Sequence, residues 1–390
     1  MRKMKNIHVI IATAEWHQDQ LRYRRHRLAE FLQKKSDTEE VIWLCPTPRR
    51  TTDNFTTLKN GIKQWTIQDL FPQKVFRFGR YMDLFYKNKL TTFNQYINQI
   101  KKKNRLIVWF TFPGFPYIAN GFHWDTIIYD CSDNWTNSIS GKKSFVSYFR
   151  QKVIQKAEER IIDKAHRIFC TSQYLHDQVI QKIEHPSKSH IYTFENGVEF
   201  DLFREKKLPM KAILPDRFNG TVLGFIGGIK SKLDFELIQD VATKKSNWLF
   251  LFVGPDQTTE NDGFHQLLNN KNVVWTGSID PFDVPKYMQL IDIGIMPYKA
   301  SSYNKAIFPL KLFEFLAAGK PAIGVHLPST TKYVEQAVYN HLETNDSQAF
   351  IQACEKLECE KDCPEYIDRR IQVASGKNWN DIFEGMLQLV

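Results

Sequence analysis

The sequence predicts an α/β protein made of two Rossmann-like, doubly wound domains facing each other across a cleft. Three observations carry that prediction. The chain has 390 residues, more than one ordinary core holds and enough for two domains of roughly 150–200 residues each. Short apolar runs alternate with charge-rich amphipathic stretches, the pattern of βαβ units around a parallel sheet. The alternation runs twice, broken once near residues 197–218 by a stretch rich in charge and proline that has no period.

In the first series NIHVIIATA, VIWLC, RLIVWFTF, DTIIYD, RIFCTS and HIYTF read as strands buried on both faces. YRRHRLAEFLQKK and FRQKVIQKAEERIIDKA have helical period between them. This defines a first domain over residues 1–200 and a linker over 201–218. The second domain, 219–372, has strands at TVLGFIGG, WLFLFVG, NVVWTG, DIGIMPY and PAIGV, with helices expected near 233–245, 283–291, 309–318 and 331–338. In the last segment, 373–390, KNWNDIFEGMLQLV is an amphipathic helix that needs another surface to bury Trp379, Ile382, Phe383 and Leu387. Ligands of open α/β sheets bind beyond the carboxyl ends of the strands. The loops that follow strands are therefore where chemistry is expected.

Composition narrows the class. With 42% hydrophobic and 25% charged residues the chain has the profile of a soluble globular protein. No apolar run approaches the roughly 20 residues of a membrane span, and the apolar N-terminal run is too short, and interrupted by His8, for a signal peptide. The expected location is the cytoplasm, with contact to the inner membrane face as a further expectation. A net charge of +10 suits an acidic partner such as nucleotide phosphates or anionic lipid. No nucleic-acid-binding signature accompanies it. Cys45, Cys131 and Cys170 lie on strand-like runs and read as buried apolar residues, while CEKLECEKDC near the C-terminus lacks a histidine and a zinc spacing. No metal is expected.

Four segments carry candidate chemistry. In FPLKLFEFLAAGKP, Pro309 suits a first helical turn and Gly319 and Pro321 stop the helix. Lys311 and the N–H groups at the helix start fit a diphosphate, and Glu314, on the same face, can accept both hydroxyls of a ribose. A Lys–Glu pair beside an apolar helix is the equal alternative. In GFIGGIKSKLDFELI, Gly227 and Gly228 permit close backbone approach, and Lys230 and Lys232 can meet phosphate, although a glycine pair is often only a turn. In WDTIIYDCSDNW, Asp130 and Asp133 stand where a general base or an acceptor-orienting carboxylate would, or act in turn and cap chemistry. In ATAEWHQDQLRYRRHRLAEFL, Trp16 and His17 occupy the first-strand loop, and Arg22, Arg24, Arg25 and Arg27 could meet an acidic acceptor or lipid phosphate, or form a solvated basic face.

These segments together resemble the GT-B glycosyltransferases of the nucleotide-sugar-dependent group 1 type. The block P-x-K-x-x-E-x-x-A-x-G-x-P matches Pro309, Lys311, Glu314, Ala317, Gly319 and Pro321. Further matches are GFIGGI, FVGP, NVVWTGSID and DIGIMPY in the second half, and YDCSDNW, FCTSQYL and ENGVEFDLF in the first. Within the group the chain is similar to glycosyltransferases of cell-wall teichuronic acid synthesis in Gram-positive bacilli. The resemblance implies a UDP-sugar donor, with UDP-glucuronate or a UDP-N-acetylhexosamine favoured, and a lipid-linked saccharide acceptor at the cytoplasmic membrane face. No metal or other cofactor is implied. It further implies that Glu314 holds the ribose, that Pro309, Leu310, Lys311 and Leu312 lie by the diphosphate with Gly227, Gly228 and Lys232 opposite, and that Ile279 contacts the uracil. Asp130 and Asp133 become the catalytic candidates. Trp16, His17, Arg24 and Arg25 fall on the acceptor or lipid side, and Trp379 on a helix crossing back to the first domain. One position departs from the pattern. Many retaining members carry a second glutamate eight residues before the ribose glutamate, and here that residue is Ala306. A non-catalytic nucleotide-sugar or polysaccharide-binding protein of the same fold is the alternative this departure raises.

Overall fold

The structure, a computed structural model, describes residues 4–18, 21–49, 55–69, 74–137, 145–183, 190–205, 213–215 and 218–390. The chain divides into two compact units, with the division at Glu195/Asn196 and again at Ile382/Phe383. Part of the expected linker, 201–218, is a helical turn of the second unit, Phe200–Arg204.

The first unit is built on an eight-stranded sheet. Its strands are β1 Lys5–Ile11, β2 Thr38–Thr47, β3 Phe55–Thr57, β4 Lys63–Gln68, β5 Asn104–Phe110, β6 Thr126–Cys131, β7 Arg167–Cys170 and β8 His190–Thr193. They lie in the order β3-β4-β2-β1-β5-β6-β7-β8. Every pairing is parallel except β3 with β4. β1, β5 and β6 are buried almost throughout, as their unbroken apolar runs require. The unexpected pair β3 and β4 stands at one edge. KQWTIQ mixes polar and apolar residues because it has one wetter face, so no apolar run announces it. The helices are α1 Arg24–Gln33, α2 Thr91–Lys101, α3 Tyr117–Gly121, α4 Phe145–Lys164 and α5 Gln173–Ile180. Ser172 caps α5 by accepting from Leu175 N at 3.2 Å.

The second unit has a six-stranded, all-parallel sheet: β9 Thr221–Ile226, β10 Trp248–Val253, β11 Val273–Trp275, β12 Ile293–Pro297, β13 Ala322–Val325 and β14 Tyr339–Leu342, in the order β11-β10-β9-β12-β13-β14. Its helices are α6 Phe200–Arg204, α7 Phe235–Lys244, α8 Phe264–Leu267, α9 Val284–Met288, α10 Ser302–Ala306, α11 Lys311–Ala317, α12 Lys332–Glu335, α13 Ser347–Glu360, α14 Pro364–Ser375 and the start of α15 Trp379–Leu387. The strand order reverses between β9 and β12, which makes their carboxyl ends the switch point of the sheet.

α11 begins at Lys311, two residues after Pro309, and spans seven residues. It ends in a Schellman arrangement: Gly319, at φ +75°, donates to Leu316 O at 2.9 Å, and Lys320 N donates to Phe315 O at 2.9 Å. Gly294 on β12 sits under this helix, where a Cβ would lie 2.4 Å from the Phe315 ring. The close approach of helix and sheet therefore sets where Lys311 and Glu314 stand.

Candidate functional site

The site in the second unit is built from loops that leave the carboxyl ends of β9, β10, β11 and β12. Three glycines with positive φ form its floor: Gly227 at +129°, Gly254 at +134° and Gly277 at +76°. They are joined across the sheet edge, Gly227 N donating to Val253 O at 2.8 Å and Gly254 N to Gly277 O at 3.0 Å. A Cβ on Gly254 would lie 2.3 Å from Gly227 O, and one on Gly227 would lie 3.4 Å from the Lys311 Nζ. The glycines thus bring backbone directly beneath the lysine. Gly254→Ala adds both the clash and the φ cost. Urea unfolding should show a loss of about 1–3 kcal/mol from backbone strain alone.

Lys311 is the centre of the arrangement. Its ammonium lies 4.3 Å from the centre of the Phe225 ring and 3.4 Å from the Tyr298 hydroxyl. Burial pushes its pKa down to about 8, Glu314 opposes that shift, and Lys230 adds to it. A cation is held here with its hydration largely removed and a carboxylate close by. The helix it starts is only two turns long, so its dipole is small and the positive potential rests on lysines.

Lys232 faces the same aromatic group. Its Nζ is 5.0 Å from the Tyr298 ring centre and 5.9 Å from that of Tyr303. Tyr298 is buried, and its ring centre lies 5.9 Å from the Lys311 ammonium as well as 5.0 Å from that of Lys232. Asn304, 0% exposed, holds the loops together by donating from one amide to Lys232 O at 3.2 Å and Lys299 O at 2.7 Å. Asn345 Nδ2 donates to Tyr298 O at 3.1 Å. Ahead of α11, Asn196 Nδ2 donates to Phe308 O at 2.8 Å, and the Ser329 hydroxyl donates to Ile307 O. The structure therefore brings together Gly227, Gly228, Lys232, Pro309, Leu310, Lys311, Leu312 and Glu314. Leu312 is fully buried and serves packing. Ile279 lies beyond Gly277, half-buried against the core of this unit. Tyr298, Asn304, Asn345 and Asn196 escaped the sequence reading. Only the position of Tyr298 at the end of the strand DIGIMPY could have drawn attention to it.

The first-unit candidates fare differently. Asp130 is 1% exposed, and Arg24 Nε donates to both its carboxylate oxygens at 3.0 Å. Arg24, 4% exposed, also donates to Phe194 O and Glu195 O at 3.1 Å and lies 3.2 Å from Met386 Sδ. This pair is a rivet joining α1, β6, the end of the β8 loop and α15. A carboxylate and a guanidinium so engaged serve neither as general base nor as a lipid contact. That corrects the expected roles of Asp130 and Arg24. The expected basic face of α1 is corrected with them: Arg22 pairs with Glu30, and Arg27 is buried and donates to Arg22 O. Arg25 stacks over Tyr23, 4.5 Å from its ring centre. Trp16 packs edge-on against Trp43 and His26, each at 4.8 Å. His17 is exposed, and Asp133 is half-buried in the bend after β6.

Among the described residues no cluster of three or more His, Cys, Asp or Glu could hold a metal. No helix among them is long and apolar enough to cross a membrane.

Two parallel, doubly wound sheets with a lysine–glutamate helix at the switch point of the second define an α/β protein of GT-B architecture. The solved sucrose-phosphate synthase from Thermosynechococcus elongatus superimposes with a TM-score of 0.76 at 14% identity, covering 99% of this chain and 98% of that one. The Anabaena HepE structure in complex with UDP-glucose gives 0.68 at 12% identity, covering 98% and 100%. Residues 220–373 match the glycosyl transferases group 1 family. Over 384 residues, 98% of this chain and 96% of the relative, the sequence is 50% identical to the Bacillus subtilis (strain 168) protein named "Putative teichuronic acid biosynthesis glycosyltransferase TuaH". The chain belongs to the group 1 glycosyltransferases and is a glycosyltransferase. The non-catalytic alternative raised by Ala306 is accordingly set aside.

Proposed function

We propose that the protein transfers a glycosyl group from a UDP-sugar to a lipid-linked saccharide acceptor in teichuronic acid synthesis. The observation that carries the donor half is the pair of lysines, Lys232 and Lys311, both held against Tyr298 above a glycine floor. In this reading the diphosphate lies between them and the ribose hydroxyls bind Glu314. The uracil reaches Ile279. The neighbour HepE was solved with UDP-glucose, and the relative's name supplies the polymer.

Glycosyl transfer separates charge: the bond to the diphosphate breaks as negative charge gathers on the leaving group. Fixed cations in a partly dehydrated setting are the effective stabiliser of such charge. Desolvation of Lys311 fits that task, because a diphosphate restores the charge that burial disfavours. Asp133 remains an acceptor-side candidate in the first unit, together with Trp16, His17 and Arg25 from the segment after β1. UDP-glucuronate and UDP-N-acetylhexosamines are the favoured donors, and the net charge of +10 suits the former.

A panel of UDP-sugars offered with a lipid extract of teichuronic-acid-producing membranes tests the reading. UDP release should depend on both the extract and one donor from the favoured set. If plain UDP does not bind the protein in calorimetry, or a different nucleotide binds better, the donor assignment is wrong.

A further inference from the structure

We propose that Tyr298 is a positioning residue of the donor site: its hydroxyl orients the Lys311 ammonium and its ring face seats Lys232, so one side chain arranges both cations offered to a diphosphate. The inference rests on the reading of this site as the place of a UDP-sugar. It adds to that reading a buried residue that acts through the two lysines.

Tyr298 follows β12 directly and is 1% exposed. Lys311 Nζ donates to its hydroxyl at 3.4 Å and lies 5.9 Å from its ring centre, so the ammonium sits toward the hydroxyl end of the ring. Lys232 Nζ lies over the same ring at 5.0 Å. Among the described residues the Tyr298 hydroxyl is the hydrogen-bond acceptor that the Lys311 ammonium meets. The other close neighbour of that ammonium is the Phe225 ring, 4.3 Å away.

A phenylalanine at 298 would fill the same space, so packing does not call for the oxygen. An ammonium stripped of water does call for it. Ring faces attract a cation but offer no lone pair, and a buried donor left without an acceptor is costly. The hydroxyl favours the charged form of Lys311 and fixes where one of its N–H groups points. The titratable groups that bear on Lys311 are this phenol, Glu314 and Lys230, while Lys232 and Tyr339 bear on Tyr298 itself.

The backbone of Tyr298 is held to match. Leu233 and Tyr298 form an antiparallel bridge, and Lys299 N donates to Lys232 O at 3.0 Å, which pairs the two segments that bring Lys232 and the tyrosine together. From the other side Asn345 Nδ2 donates to Tyr298 O at 3.1 Å, and its Oδ1 accepts from His326 Nε2. His326 has φ +54°, a left-handed backbone that costs a non-glycine residue energy. That cost is borne at the end of a chain of contacts leading to Tyr298.

The test is UDP affinity by calorimetry between pH 6 and 9, in the full chain. In the unaltered protein affinity should begin to fall near pH 8, where burial places Lys311. Tyr298→Phe keeps the ring, and with it the packing. In this variant the fall should begin about one pH unit lower, the shift expected when the charged form loses a hydrogen bond. UDP should then bind about fivefold more weakly at pH 8 and nearly equally at pH 6. Tyr298→Leu, which also takes the ring from Lys232, should add a loss of about threefold that is the same at every pH. In a Lys311→Met background Tyr298→Phe should change nothing further in the profile. The role of Tyr298 is overturned if Tyr298→Phe keeps the profile of the unaltered protein, or if its loss is equal at every pH, as a merely structural change would give. UDP that fails to bind the unaltered protein is a separate result, which removes the donor assignment and this inference with it.

Discussion

Arg24→Ala should cost the protein about 3–5 kcal/mol, the usual loss when one partner of a buried ion pair is removed. Asp130 would remain at 1% exposure with its charge uncompensated. The carbonyls of Phe194 and Glu195 would lose their donor as well. A shift in the urea midpoint reports the loss. Asp130→Asn should fall in the same range, and the double variant should cost far less than the two single losses added, because the two residues act as one unit. UDP affinity should persist in any variant that stays folded, since Lys232, Lys311 and Glu314 all lie in the other unit. Loss of UDP release without loss of stability in Asp130→Asn would restore Asp130 as a catalytic residue.

Lys311→Met should weaken UDP binding by about tenfold to a hundredfold at neutral pH, the range for a hydrogen bond to a charged group. Its pH dependence is the sharper signature. In the free protein Lys311 has its pKa lowered from 10.5 to about 8 by burial. A bound diphosphate favours the charged form and raises that value. Above pH 8 the free protein has lost a proton that the complex keeps, so binding takes up a proton and affinity falls as pH rises. The fall is limited to tenfold per pH unit, and it levels off below about 7, where both states are protonated. The stability contribution has the opposite sense: the unfolded chain holds this proton up to 10.5 and the folded one only to about 8, so the cost of the buried charge is full below pH 8 and relieved as pH rises between those values. Calorimetry in buffers of different ionisation heat measures the uptake. A flat profile between pH 7 and 9, or one unchanged in Lys311→Met, would show that the ammonium does not meet the phosphate. Glu314→Ala removes the ribose contact and should lower UDP affinity by a similar factor while leaving that of inorganic pyrophosphate nearly unchanged.

How much of this was readable in the residues can be judged element by element. The strands that appear as unbroken apolar runs, from NIHVIIATA through PAIGV, are where they were expected. Burial on both faces writes itself into composition for the central strands. β8 and β11, at the sheet edges, are half-buried or exposed along most of their length, so HIYTF is not the doubly buried strand expected. β4 and β14 left no such mark because each keeps a wetter face. The stop of α11 at Gly319 was equally local, since glycine alone takes that backbone angle at little cost. Lys311 and Glu314 announced themselves as charged residues on an otherwise apolar helix.

Contacts between distant residues were not readable. Asp130 and Asp133 look alike in YDCSDNW, yet one is spent on Arg24, 106 positions away. Trp16 and the arginines around α1 suggested a surface, but packing turned Arg24 and Arg27 inward and set Trp16 against Trp43. Tyr298 matters because its ring meets both Lys232 and Lys311, residues 79 positions apart in sequence. By itself the sequence determined the fold class, the strands of both cores and the lysine–glutamate helix, because periodicity and local backbone preference act over a few residues. Only the tertiary structure decided which charges are consumed in the interior and which remain for a ligand, because an ion's availability depends on what the folded chain brings within a few ångströms of it.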